Sequence, residues 1–210
     1  MNTDDLIKKL AQDVAMPDLR WAPRLCWAIF GAASLSIMMV WLLLGLNGNI
    51  PNLLGDGQFL LKMFWFLFMA GSGFMVLTKS LRPDEAPGWR FHLHGLLFMG
   101  MILVGAVDFI SRGMLVDDLL GMTWSACPFL VVACSLPVLV ASLYAIRVMA
   151  PANPGLAGLS AGIMSGGIGA FIYGLHCPEL ALPFISAWYG LGIIAMAGFG
   201  YLAGRYVLHW

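Results

Sequence analysis

Apolar residues gather into six long runs along this chain, and the polar residues collect in the gaps between them. The runs cover roughly residues 25–46, 60–79, 91–110, 127–148, 155–175 and 183–205. Each is long enough to cross a hydrocarbon layer of about 30 Å as a helix rising about 1.5 Å per residue. The gaps carry turn chemistry in NGNIPNLLGDG, RPDEAPG, SRGMLVDD, APANPG and HCPELALP. The pattern predicts an all-α polytopic membrane protein, a bundle of six transmembrane helices.

Ahead of the first run the periodicity changes. In MNTDDLIKKLAQDVAMPDLRW, Leu6, Ile7, Leu10 and Val14 fall on one helical face and Lys8, Lys9, Gln12 and Asp13 on the other. Thr3 is placed as an N-cap, and Asp4 and Asp5 complement the positive start of a helix. Asp5 and Lys9 stand one turn apart, and Met16-Pro17 ends the pattern. A lone helix over residues 3–15 is marginal in water, so it is expected to take its order from a protein groove or a membrane surface. The two leading acidic residues disfavour an anionic membrane. The chain thus divides into a cytoplasmic binding segment, residues 1–24, and a transmembrane domain, residues 25–210.

Composition excludes a soluble reading. Hydrophobic residues make up 60% of the 210 and charged residues only 10%, where soluble domains carry about a quarter. The mean hydropathy is +0.86. Net charge is zero, which gives no sign of a nucleic-acid partner. The basic residues are nevertheless unevenly placed. Lys8, Lys9, Arg20, Arg24, Lys79, Arg82, Arg90, Arg147 and Arg205 lie on the side of the chain ends, and only Lys62 and Arg112 on the other. That bias predicts cytoplasmic termini, with the loops near 47–59, 111–126 and 176–182 facing outward. Asp4 and Asp5 stand where a signal peptide would be basic, so the first span is expected to remain in the mature protein.

Inside the runs polar chemistry is scarce. Asp108 is the one acidic residue in a predicted span, which disfavours a solute transporter with mid-membrane ligands. Gly158, Gly162 and Gly166 recur at every fourth residue and read as a helix-packing face. Pro137 is expected to kink the fourth span. His92 and His94 are expected near the cytoplasmic interface.

The chemistry collects at the outer face. Cys127 opens the fourth span and Cys177 follows the fifth, beside His176 and Glu179, with Cys134 two turns deeper. Cys26 lies at the opposite face. Two outward thiols could bridge, or could bind a soft metal with His176 as a third ligand and Glu179 or Cys134 in support, or could simply pack. No CxxC pair is present, which argues against a thiol oxidoreductase exchanging electrons with quinone.

The segments TDDLIKKLAQD, CPFLVVACSLP, LHCPE and WYGLGI, spread over six spans, resemble the NrsF family of bacterial inner-membrane anti-sigma factors. The resemblance covers essentially the whole chain. It implies a regulator without catalysis or resident cofactor, which holds an extracytoplasmic-function sigma factor and releases it when heavy metal or oxidant acts on two periplasmic cysteines. By position those are Cys127 and Cys177, with Cys134 as an alternative first member. The sigma-binding residues would be Asp4, Asp5, Leu6, Ile7 and Leu10. Surrounding lipid is the other expected partner.

Overall fold

The computed structural model describes residues 21–45, 55–81, 90–113, 115–149 and 151–208. Those residues form helices, with no strand among them. In chain order they are α1 (Trp21–Leu43), α2 (Gly57–Ser80), α3 (Arg90–Ser111), the short α4 (Val116–Leu120), α5 (Cys127–Ile146), α6 (Pro154–Gly174) and α7 (Leu182–Val207). A 3₁₀ turn at Arg147–Met149 extends α5, and a π-helical turn at Ile185–Tyr189 interrupts α7. All but α4 supply a stretch long and apolar enough to cross a membrane, so the six expected spans are present. Their ends fall within three residues of the expected ones. The amphipathic helix expected at residues 3–15, with Asp4, Asp5, Leu6, Ile7 and Leu10, lies outside the described residues.

Local signals place the helix starts. The Asp56 carboxylate accepts the Gln58 amide at 2.7 Å and caps α2, satisfying one of the first-turn donors that a helix leaves unpaired. Asn153 does the same for α6 through the Leu156 amide at 3.1 Å, with Pro154 as the first helical residue. Pro128 sits in the first turn of α5, where its missing N–H costs nothing. The helix then continues through Pro137 as far as Ile146.

α6 is the hub of the bundle, packed against α7, α2 and α5. Its glycines explain why so many helices can approach it. A β-carbon on Gly158 would strike the Gly200 carbonyl of α7, and one on Gly200 would strike the Gly158 carbonyl in return. Gly162 meets the Met196 carbonyl on the same face. The expected packing face is therefore real, and it is shared: on another side Gly167 would place a β-carbon 2.6 Å from the Ala70 amide of α2. On a third side Gly169 lies against Ser135 of α5. Without a hydrophobic drive between helices in lipid, this close backbone contact supplies the association energy. α1 and α3 are the most peripheral spans, and Trp27, Phe30, Val107 and Ile110 point outward as a lipid-facing surface requires.

Two buried clusters mark the two ends of the bundle. One gathers Leu25, Leu77, Leu81, Ile146, Ala157 and Leu208 at the end where the spans begin and finish. The other gathers Phe66, Cys127, Val131, Tyr173, Cys177, Phe184 and Tyr189 at the end carrying α4. His94, near the start of α3, is buried against α2, with its ring Nδ1 3.1 Å from the Ser72 hydroxyl. A buried polar ring needs such a partner, and α2 supplies it.

Candidate functional site

α6 stops at Gly174, and the chain reverses at once. The amides of His176 and Cys177 both donate to the Tyr173 carbonyl, at 2.9 and 3.0 Å. This double turn sends the Cys177 side chain back into the bundle, where only 1% of the residue is exposed. Cys127, at the first turn of α5, is fully buried in the same cluster. Both are free thiols, and they lie within electrostatic reach of one another. The Thr123 hydroxyl sits 3.6 Å from the Cys177 sulfur.

A cation stands beside them. Lys62, in the second turn of α2, is 1% exposed. Its Nζ donates to the carbonyls of Cys177 at 3.1 Å and Glu179 at 2.9 Å, and lies 5.4 Å from the centre of the Tyr189 ring. A buried ammonium is costly unless its protons are satisfied, and each hydrogen bond to a charged donor returns about 1.5–3 kcal/mol. The ring face adds about 0.5–2 kcal/mol. Tyr189 is itself positioned by the π-helical turn, a feature that recurs at functional sites. Its ring stacks on Phe66 at 4.8 Å, and its buried hydroxyl lies within electrostatic reach of both thiols.

The segment around α4 closes the site from above. The Met122 amide donates to the Glu179 carboxylate at 2.8 Å, and the Trp188 indole N–H donates to the Leu119 carbonyl at 2.8 Å. Trp124 and Trp188 lie with ring centres 5.3 Å apart. Gly121 has a φ of +56° and would place a β-carbon 2.9 Å from the Glu179 carboxyl carbon, so both backbone and space favour glycine there. Glu179 thus acts here as a staple for the cap.

The other candidates divide. Cys134 belongs to the same buried cluster two turns along α5, whereas Cys127 lies within electrostatic reach of Cys177, Lys62 and Glu179. Cys26 is exposed on α1, near the start of that helix. The ring Nδ1 of His176 donates to the Gly45 carbonyl at the end of α1, at 2.7 Å. Among the described residues no three His, Cys, Asp or Glu side chains converge to hold a metal ion. The expected set of Cys127, Cys177 and His176 is therefore not gathered into a three-ligand site in this arrangement. The two sulfurs share one buried cluster.

The geometry also assembles residues that sequence reasoning passed over. Lys62 was counted only as a charge of the outward side, and Thr123, Tyr173 and Tyr189 carried no assignment. A lysine just inside an apolar run was the available signal, since an ionisable group there needs a partner.

Comparison with known proteins settles what kind of chain this is. The family described as "NrsF: Negative regulator of sigma F" matches residues 10–210. The chain belongs to the NrsF family. Over the full length of both chains it is 36% identical to the "Probable anti-sigma-F factor NrsF" of Azospira oryzae. It is 34% identical, again over both full lengths, to the "Anti-sigma-F factor NrsF" of Caulobacter vibrioides. No solved structure matches it. Of the segments on which the NrsF resemblance most depends, DDLI, LHCPE and WYGLGI, the last two supply Cys177, Glu179, Trp188 and Tyr189 to the site just described.

Proposed function

We propose that this NrsF-family chain is an anti-sigma factor of a bacterial inner membrane, with both termini cytoplasmic. Its segment 1–24 holds an extracytoplasmic-function sigma factor, and reaction of Cys127 and Cys177 with heavy metal or oxidant at the periplasmic end releases it. The observation that carries the reading is full-length identity to two proteins named as anti-sigma-F factors. The chain's work is then binding and regulation, without catalysis and without a resident cofactor. Its partners are the sigma factor and the surrounding lipid, and it makes no direct contact with nucleic acid.

The burial of both thiols in one cluster supports the choice of trigger residues. Two neighbouring thiols can lose two protons and hold a thiophilic cation as thiolates. Alternatively they can give two electrons and two protons to an oxidant and become a disulfide, which requires close approach of the two Cα atoms. Either product changes the packing of the α5 start against the α6 end. Because α6 packs on α7, α2 and α5, a shift there has several rigid elements on which to act. The test is transcription from the sigma factor's promoter in cells carrying Cys127→Ser, Cys177→Ser or both, with and without cadmium or oxidant. Loss of induction in the double variant, with basal repression kept, is the expected result. A double variant that still responds removes the thiols from the mechanism.

A further inference from the structure

The cysteine segment is tied to α2 through one side chain, and that side chain is neither a thiol nor a metal ligand. Lys62 and Cys177 are 115 residues apart in sequence, yet the Lys62 ammonium bonds the carbonyls on either side of Pro178. Two of its three protons are thereby used on the turn that sets where the Cys177 sulfur points. Its other side faces the Tyr189 ring, and both thiols lie within its electrostatic reach.

We infer that Lys62 is the positioning residue of the thiol pair: it holds the Cys177–Glu179 turn against α2 and so keeps the Cys177 sulfur beside Cys127. This rests on the reading of Cys127 and Cys177 as the sensing pair, and adds a residue to that site which the thiol chemistry does not itself require. Three features argue for positioning over filling space. A methionine or leucine would fill the same volume without the cost of burying an ammonium in an apolar cluster. The donors go to backbone, which fixes the course of the chain rather than the rotamer of one neighbour. Both bonded carbonyls belong to the turn that carries the reactive residue. Lys62 also sits on a helix that runs on to Leu77 and Leu81, in the buried cluster that includes Leu25. A change in the thiols that disturbs the turn is thus felt by α2 directly.

The test is made on the purified full-length chain in detergent, with Cys26 and Cys134 changed to serine. A short bis-methanethiosulfonate reagent is added, and the yield of the Cys127–Cys177 bridge is measured by mass spectrometry. Lys62→Met is expected to lower the bridging yield about tenfold, since ångström-scale misplacement of two reacting groups costs up to a hundredfold. Lys62→Arg keeps charge and donors and is expected to restore most of it, a rescue that simple loss of packing would not give. Parental bridging in Lys62→Met, or bridging in Lys62→Arg that is as poor as in Lys62→Met, overturns the inference. Should Lys62→Met fail to accumulate, the arginine variant alone decides, by bridging like the parent or not. If bridging depends on Lys62 while cysteine-to-serine changes leave transcription unaltered, the sensing function fails and the positioning role stands.

Discussion

Gly158 of α6 lies directly on the backbone carbonyl of Gly200 in α7, and Gly200 lies on Gly158 in the same way. Neither position has room for a β-carbon, so the two helices meet backbone to backbone. This close contact holds the last span to the hub.

Enlarging Gly158 should therefore separate α6 from α7. Overpacking a well-fitted contact costs about 1–3 kcal/mol, and leucine here would push on backbone that cannot rotate away. Gly158→Leu is expected to lower the detergent unfolding midpoint of the purified chain. Gly198→Leu, on the same helix α7 but with open space around its β-carbon, is the control and should leave the midpoint unchanged. Equal midpoints for both variants would mean that this crossing contributes nothing.

The second prediction concerns the cap. Glu179 takes the Met122 amide at 2.8 Å and so closes the α4 segment over two buried thiols. A reagent can reach them only when the cap opens locally. Glu179→Gln keeps the shape but exchanges a carboxylate acceptor for a neutral one, at a cost of about 1 kcal/mol. That should raise the open population, and with it the maleimide labelling rate of Cys127 and Cys177, about fivefold. Labelling of the exposed Cys26 should not change. If the two buried thiols label no faster, the cap does not govern access.

Much of this arrangement was legible in the sequence, and the remainder was hidden for identifiable reasons. The six spans follow from hydrophobic run length alone, because lipid leaves the backbone few alternatives. The fourfold spacing of Gly158, Gly162 and Gly166 was enough to read a packing face, but not that α6 offers faces to three partners. Cys127 and Cys177 could be placed at one end by topology. Their shared pocket could not, since it depends on the reversal after Gly174 and on the π-helical turn at Ile185–Tyr189, neither of which has a periodic signature. Lys62 already falls inside the run 60–79, but a single charge in such a run gives no sign of which carbonyls and which ring it meets.

Orientation yields the third prediction. Nine basic residues flank the spans on the side of the chain ends and two on the other, so export reporters should divide accordingly. Alkaline phosphatase fused at Asp118 or Glu179 is expected to be active, and a fusion after Arg82 inactive. Green fluorescent protein should give the reverse pattern. The opposite assignment would put the thiol end of the bundle in the cytoplasm and remove the periplasmic trigger.

The last prediction concerns the output. The proposed grip on the sigma factor lies in residues 3–15, whose sequence spacing assigns Leu6, Ile7 and Leu10 to one helical face, next to Asp4 and Asp5 in the chain. A DNA-binding partner is expected to carry basic surface, so acidic residues flanking an apolar stripe suit it. The charges steer encounter and choose the partner, while the buried leucines supply most of the affinity. Truncating one well-seated anchor should cost about 2 kcal/mol, roughly thirtyfold in affinity. Leu6→Ala with Leu10→Ala is therefore expected to abolish co-purification with the sigma factor and to leave its promoter constitutively active. Membrane insertion should be unaffected, because positions 6 and 10 precede the first span, which starts at Ala22. Asp4→Asn with Asp5→Asn should do less, weakening capture mainly at low ionic strength, where exposed charges are least screened. A chain lacking residues 1–15 that still binds and represses would move the contact to the segment joining α2 and α3. If replacing that segment as well leaves the promoter repressed, the chain does not act by holding a sigma factor.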